Sequence, residues 1–324
     1  MAYNNIIDRS NDAGALIPED VSREIIKNVP ANSFVMEKAR RLPDLPRNVR
    51  RLPVMSALPS GYFVAEAPTE GSIKQTSEAA WENVYLTAAE IAVILPIPES
   101  LLDDADYPIW SEVYPLIQEA FGVVFDGAVI NGTNIPTDWS TALGGAGLIA
   151  RCNTAGHVVS AASFADLYDA ILSEGGAAGL VEADGFNVTG HIAALTMKAK
   201  LRGVRSTTGE PIFNTNPALA SQMLLDGVPI AFPANGVIDP ATALMISGDW
   251  SKLVYAIRKD LTFKVFTEGV ITDASSPRQI QFNLMQDDMV ALRAVMRIGV
   301  ALPNPINRAN ATKSTRCQFA VLTA

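Results

Sequence analysis

The sequence predicts an α+β chain, with long strands toward both ends, one long helix and an α/β segment between them. Three observations predict it. Residues 81–97 alternate, which puts Ile91, Val93, Leu95 and Ile97 on one face of an extended strand. Residues 288–302 alternate more strictly, with Val290, Leu292, Ala294, Met296, Ile298 and Val300 on one face and Arg293 and Arg297 on the other. Residues 98–130 carry Leu102, Ala105, Ile109, Val113, Leu116, Ala120, Val124 and Ala128 at steps of three and four, the spacing of one helix face.

Residues 1–52 read as an arm. Leu16-Ile17-Pro18-Glu19-Asp20 predicts entry to a short helix over about 19–28, with Val21, Ile25 and Val29 on one side. The run 38–51 follows, with prolines that block helix and suit an extended strand on a surface. It holds six basic residues and one acid, a net +5 against −9 for the whole chain, so the remainder carries −14. Its Arg40, Arg41, Arg50 and Arg51 read either as a solvated tail or as contacts to an acidic neighbour or packaged nucleic acid.

Residues 53–97 predict a long hairpin with arms 53–66 and 81–97 and a small, polar tip. An isolated hairpin is marginal in water, so its apolar face must lie on something. Glu99, Ser100, Asp103 and Asp104 then put negative charge at the start of the long helix, where the dipole favours it. Pro108 and Pro115 predict a short first turn, then a helix that bends, ending at Asn131-Gly132. Residues 131–162 read as a loop. From 163 to 258 helix and strand alternate: a helix capped by Ser163 and ending near Gly175, a strand at 187–189, a helix over 192–201, and strands at 228–232, 243–247 and 252–258. Residues 259–324 read mostly as strand.

Composition narrows the function. The chain has 324 residues, 18% of them charged, with two Cys and two His. That charge content is below the usual ~25% and predicts surface covered by something else, for which other copies of the chain would serve. A net −9 argues against a protein that grips nucleic acid through surplus Lys and Arg. Two cysteines make no disulfide framework. The first residues lack a basic and apolar secretory signal, and no apolar run reaches the ~18 residues of a membrane span. Cytosolic synthesis and no membrane partner are expected.

Catalytic motifs are absent: no phosphate loop of the Walker type, no zinc-binding helix motif, no nucleophile elbow. Gly145-Ala-Gly147-Leu-Ile-Ala150 fits a loose dinucleotide fingerprint, but no strand precedes it and no helix is predicted after it. Asp103-Asp104 and Asp287-Asp288 read as solvated caps rather than cation ligands. His157, His191, Cys152 and Cys317 read as ordinary core or loop residues. No cofactor and no metal is expected.

The order of parts and several motifs resemble the major capsid proteins of tailed bacteriophages, with the Hong Kong 97-like capsid fold. The resemblance rests on Leu16-Ile-Pro18 ahead of a short helix and Ser33; on Phe63-Val-Ala-Glu66, Glu70-Gly71 and Lys74 in the hairpin; and on Ile94 to Ala105, which contains Pro98-Glu-Ser-Leu-Leu-Asp-Asp104. Phe121-Gly, Asp126 to Gly132, Gly209 to Phe213, Leu225 to Pro229, Gly248-Asp-Trp250 and the Arg293/Arg297 strand complete it.

The resemblance implies an N-arm (1–52), an E-loop hairpin (53–97), a peripheral domain with the spine helix (98–150), an axial domain (151–258) and peripheral return strands (259–324). It implies a structural protein, not an enzyme, that self-assembles as hexamers and pentamers into an icosahedral shell around double-stranded DNA. Portal, scaffolding and decoration proteins are the further partners it implies. Arg40, Arg41, Arg50, Arg51, Glu66, Glu70, Lys74, Arg293 and Arg297 are then the candidates for contacts between subunits. Leu16-Ile-Pro comes so early that no fused scaffolding domain is expected. Lys74 sits where some relatives form a Lys–Asn crosslink, but it reads better as an ordinary exposed lysine, and no Asn or Glu partner is identified. Two other readings stand beside this one: the shell of a protein-cargo nanocompartment or gene-transfer particle, and a soluble nucleotide-binding α/β enzyme using the Gly145 loop.

Overall fold

The computed structural model describes residues 33–63, 74, 76–104, 109–205, 213, 224–273 and 277–324. Two sheets organise them. The first has five strands in the order β1 (Arg40–Arg41), β9 (Val254–Phe266), β12 (Met289–Ala301), β3 (Ala80–Pro98) and β2 (Val49–Ala57). The second has six, in the order β4 (Val158–Ser160), β13 (Phe319–Thr323), β8 (Met245–Gly248), β5 (Gly190–Ala193), β7 (Val228–Ala231) and β6 (Leu224–Leu225). A small ribbon pairs β10 (Val270–Thr272) with β11 (Ile280–Asn283).

The long helix α3 (Ile109–Ile130) joins the sheets into one core. Its Ile117, Phe121, Phe125 and Val129 pack with Leu292, Ala294, Met296 and Ile298 of β12 and with Ile192, Ile246, Phe319 and Val321 of the second sheet. The alternation of each strand makes this possible, because successive residues point to opposite faces. In β12 the even positions are buried, as expected, while Arg293 and Arg297 remain half-buried on the other face. In the second sheet Ile246 and Phe319 turn toward α3, whereas Met245 and Ala320 turn to a separate cluster. That cluster is roofed by α6 (Leu167–Leu172), α7 (Ala177–Ala183) and α8 (Leu195–Gly203), through Ile171, Val181, Met197 and Leu201. By length and composition α3 could cross a membrane, but here it is the central core helix between the sheets.

Several expectations change. The buried stripe of α3 is turned from the expected one, for Leu116 and Val124 are exposed and Ile117, Phe121 and Phe125 are inside. The helix has more apolar positions than one face needs, and the aromatic rings, with most area to bury, decide which side turns in. Residues 131–162 hold α4 (Thr137–Leu143), α5 (Leu148–Ala155) and β4 as well as loop. These elements are too short for a strong periodic signal, and left-handed glycines at Gly144 and Gly156 end both helices. Ser163 does not cap a helix; α6 begins four residues later, after Asp166. The strand expected at 187–189 lies at 190–193, and the helix after it starts at Leu195. Helix α2 (Glu99–Asp104) forms the expected first turn, and Pro115 lies within α3. The helix expected over 19–28 lies outside the described residues.

The predicted hairpin differs most. β2 pairs only with the first half of β3, Val49 opposite Thr87 through Ala57 opposite Ala80. The second half of β3 pairs with β12, Ala88 opposite Gly299 through Pro98 opposite Met289. Ile91 and Val93 therefore pack against their own α3 core rather than waiting for a neighbour. The stretch 259–324 also divides: β12 belongs to the first sheet, and β13 sits inside the second, between β4 and β8.

Candidate functional site

The described residues offer no enclosed catalytic constellation, and no group of three or more metal-ligating side chains occurs among them. The features that could carry function are surfaces and the clamps that hold them. The first clamp fixes the arm. Asp126, almost fully buried in α3, accepts hydrogen bonds from Ser33 Oγ, from the backbone N–H of Phe34 (3.0 Å) and Val35 (3.2 Å), and from Asn235 Nδ2 (3.1 Å). Ser33 in turn caps α1 (Phe34–Lys38) by accepting from Met36 N–H. Burial raises the Asp126 pKa above the ordinary carboxylate value, and the four hydrogen bonds pull it back down. One carboxylate thus ties the arm, the spine helix and the 235 loop together.

Beyond the clamp the arm runs as a surface strand. Arg40 and Arg41 form β1, parallel to β9. Arg41 pairs with Asp44 at 3.1 Å, and Arg50 donates to the carbonyls of Pro43 and Asp44. Arg51 stands opposite Tyr85 on the exposed face of the β2–β3 ribbon. Trp81 and Tyr85 share that face and are 64% and 54% exposed. Two large aromatic rings left in water on a rigid ribbon mark a surface that a partner covers. Lys74 is exposed, and Glu66 and Glu70 lie outside the described residues.

On the outer face of the first sheet, Arg297 meets Glu90 directly across the strand pair, Nε to Oε2 at 3.0 Å. Arg293 stacks over the ring of Phe266, 4.8 Å from its centre. The sequence candidates are therefore dispersed: Arg40 and Arg41 lie on β1 and Arg50 and Arg51 on β2, the two end strands of the first sheet, while Arg293 and Arg297 occupy a face of its central strand β12.

The glycine motifs are packing devices. A Cβ on Gly248 would overlap the Phe319 ring and the Gln318 carbonyl of the neighbouring strand. Asp249 caps the turn that follows by accepting from Ser251 N–H, and Trp250 donates from Nε1 to Gly190 O at 3.0 Å. Gly147 has φ +90°, and a Cβ there would sit 2.6 Å from Gly132 N. A helix does follow the Gly145 loop, contrary to expectation, because Gly147 caps α5; helix α4, not a strand, precedes it. The loop lies against the end of the spine helix, which explains its glycines without any nucleotide.

A second clamp holds the C-terminal segment. Arg151 donates to the carbonyls of Lys313, Ser314 and Arg316, and Arg316 donates to Asn304 and to the carbonyl of Asn310. Asp184 accepts from Cys317 N–H (2.6 Å) and Asn310 Nδ2 (2.7 Å), and lies 3.2 Å from His157 Nε2. The other ring nitrogen of His157 faces the Phe319 carbonyl at 3.2 Å. Burial lowers the His157 pKa, with Asp184 opposing it.

Residues 13–307 match the phage capsid family. The chain belongs to the phage capsid family. Over 299 residues it is 26% identical to a protein described as the major capsid protein of Staphylococcus phage 80alpha, covering 92% of this chain and 84% of that one. A solved structure from Microbacterium phage Oxtober96 superposes with a TM-score of 0.81 at 29% identity, covering 98% of this chain and 99% of that one. One from Mycobacterium phage Bobi gives 0.79 at 26% identity, with the same coverage. The chain is a phage major capsid protein, and the Hong Kong 97-like fold expected of it is consistent with these neighbours.

The capsid protein's two clamps were missed in the sequence. The signal for the first was available: Asp126 stands between Phe125 and Ala128 in an apolar helix, where an acid without buried donors would be costly. Nothing local marks Arg151 or Asp184, whose partners in the C-terminal segment lie more than 120 residues away.

Proposed function

We propose that the capsid protein is the tile of a closed icosahedral shell, assembled as hexamers and pentamers, that encloses double-stranded DNA and runs no reaction of its own. The observation that carries this is the aromatic face of the β2–β3 ribbon. Trp81 and Tyr85 stand exposed on a twisted strand pair whose opposite face is already packed through Leu86 and Ala88. Trp81 and Tyr85 stay exposed there, and the face fits a neighbouring tile. Arg40, Arg51 and Lys74 are exposed on the same arm and ribbon, and they supply cations to an assembly whose other surface is acidic. Arg41, Arg50 and Arg297 contribute less, because each already bonds within its own chain.

Synthesis in the host cytoplasm, nonspecific contact with packaged DNA, and docking of portal, scaffolding and decoration proteins belong to the same reading. The arm, ribbon, spine helix, axial and peripheral units follow the segments given above. The test is to express the full chain and image it. Closed shells or six-fold rings support the tile, and nuclease-protected double-stranded DNA in particles from infected cells supports the cargo. A monodisperse compact monomer overturns the reading, and shells that hold protein instead of DNA replace it with a nanocompartment. Boiling the particles in detergent reports on Lys74: a single band at 34.6 kDa removes a crosslink.

A further inference from the structure

The six-stranded unit is electrically lopsided. From residue 152 to residue 197 there is no Lys or Arg, and the exposed acids are Asp166, Asp169, Glu174 and Glu182. From 198 to 205 there is no acid, and Lys198, Lys200, Arg202 and Arg205 follow one another at short intervals. The fold separates the two groups in space. Helix α7 packs over β13 and β8, toward the β4 edge of the sheet. Helix α8 carries Lys198 over the ring of Phe232, just past β7, toward the β6 edge. Two to three strand spacings separate the β13–β8 pair from β7, roughly 12 Å at ~4.8 Å per strand. That exceeds the Debye length of about 8 Å at physiological salt, so exposed charges in the two groups are largely screened from each other within one chain.

These charges are not neutralised locally: Lys198 lies over the Phe232 ring and Arg202 donates to the Lys198 carbonyl, neither of which meets an acid. Asp166 occupies the N-cap position of α6 yet makes no side-chain capping bond. Among the described residues none of the eight takes part in an ion pair. Among the described residues Asp226, in the β6–β7 turn, is an acid beside the basic edge, which stays net positive. A patch of each sign on opposite edges of one unit is complementary to the next copy rather than to itself. Such a contact is head-to-tail, and head-to-tail contacts that close make rings.

We propose that the α6–α7 acidic edge of one subunit docks on the α8 basic edge of the next, and that this contact sets the direction of a ring of subunits. It rests on the shell reading above and names the surfaces that hold the ring.

The charges can be exchanged to test it. In variant X, Lys200→Glu and Arg202→Glu make both edges negative. In variant Y, Asp169→Lys, Glu174→Lys and Glu182→Lys turn the acidic edge from −4 to +2, so that both edges are positive. All five side chains are exposed, so circular dichroism and thermal unfolding should match wild type. Assembly of the full chain is followed by sedimentation and electron microscopy.

X alone and Y alone should each need about tenfold or more protein to assemble. The mixture of X and Y should assemble, because an X–Y contact and a Y–X contact both pair opposite signs. It should give six-fold rings and not five-fold ones, since an odd ring cannot alternate. A chain carrying all five substitutions should recover both ring types. If folded X and Y assemble like wild type, or if neither the mixture nor the combined variant recovers assembly, the proposal is overturned. If wild type itself forms no rings or shells, the shell reading fails instead.

Discussion

His191 lies in β5, inside the six-stranded sheet and 1% exposed. Its Nδ1 stands 2.9 Å from Ser247 Oγ on the neighbouring strand β8. Burial disfavours the charged ring and takes its pKa from 6.5 to about 4, with Asp226 pulling weakly the other way. A lowered histidine pKa means that the folded chain binds fewer protons than the unfolded one between those two values. Stability from this group is therefore complete above about pH 6.5, is lost as pH falls toward 4, and changes no further below that. The full loss is the shift times 1.36 kcal/mol per unit, on the order of 3 kcal/mol, most of it reached by pH 4.5. His191→Asn keeps a polar atom near Nδ1 for Ser247 and removes the titration. Urea unfolding of dissociated subunits, followed by tryptophan fluorescence, reads the effect at pH 7 and pH 4.5. His157 adds a loss of the same sign, and Asp126, whose pKa is raised, acts oppositely. Wild type minus variant cancels both. Wild type should lose about 2–3 kcal/mol more than His191→Asn across that pH step. Equal losses in the two proteins would refute the burial argument.

Three further outcomes are expected. Asp126→Ala strands the N–H groups of Phe34 and Val35, should cost about 3–5 kcal/mol, and should release the arm, which limited proteolysis near residue 38 would detect as faster cleavage. Gly248→Ala forces a methyl into Phe319 and the Gln318 backbone, so thermal unfolding should show a loss of about 1–3 kcal/mol; an unchanged Tm would mean that the two strands separate freely. A double-mutant cycle on Arg297 and Glu90, both largely solvated, should give a coupling of only about 0.2–1 kcal/mol in the isolated subunit. A larger coupling in assembled particles than in subunits would identify the pair as part of a contact between copies.

The strands and the spine helix were legible because each repeats its signal over many residues. Six alternating apolar positions in β12, Val290 to Val300, leave little freedom in which face is buried, and the Pro98 to Asp104 block places the start of α2 within a residue or two. The short elements were not legible. α4 and α5 are seven and eight residues long, which is too little for a 3.6-residue period to stand out. The α3 stripe was misplaced for a related reason: a helix that touches two sheets is apolar over most of its circumference, and periodicity cannot say which third faces water.

The candidate contacts were legible as charges but not as partners. Arg293 and Arg297 were placed correctly on the outer face of β12 by alternation alone. That Glu90 would neutralise Arg297 depends on the register between β3 and β12, strands some two hundred residues apart, and register is fixed by packing rather than by local sequence.

The same register explains why the hairpin stops where it does. β3 spans 19 residues and serves two partners in succession, β2 for its first half and β12 for its second. Its opposite faces are covered at opposite ends: Leu86 and Ala88 turn toward α4, and Ile91 and Val93 turn toward α3. The uncovered quadrant at the free end holds Trp81 and Tyr85. A ribbon rooted this firmly in the body does not fold back over those rings, and a neighbouring copy is the natural cover for them. The strength of such a contact would come from repetition, because a ring or shell multiplies one modest interface by the number of copies. The low charge of the chain has the same origin: much of its surface is shaped to meet itself.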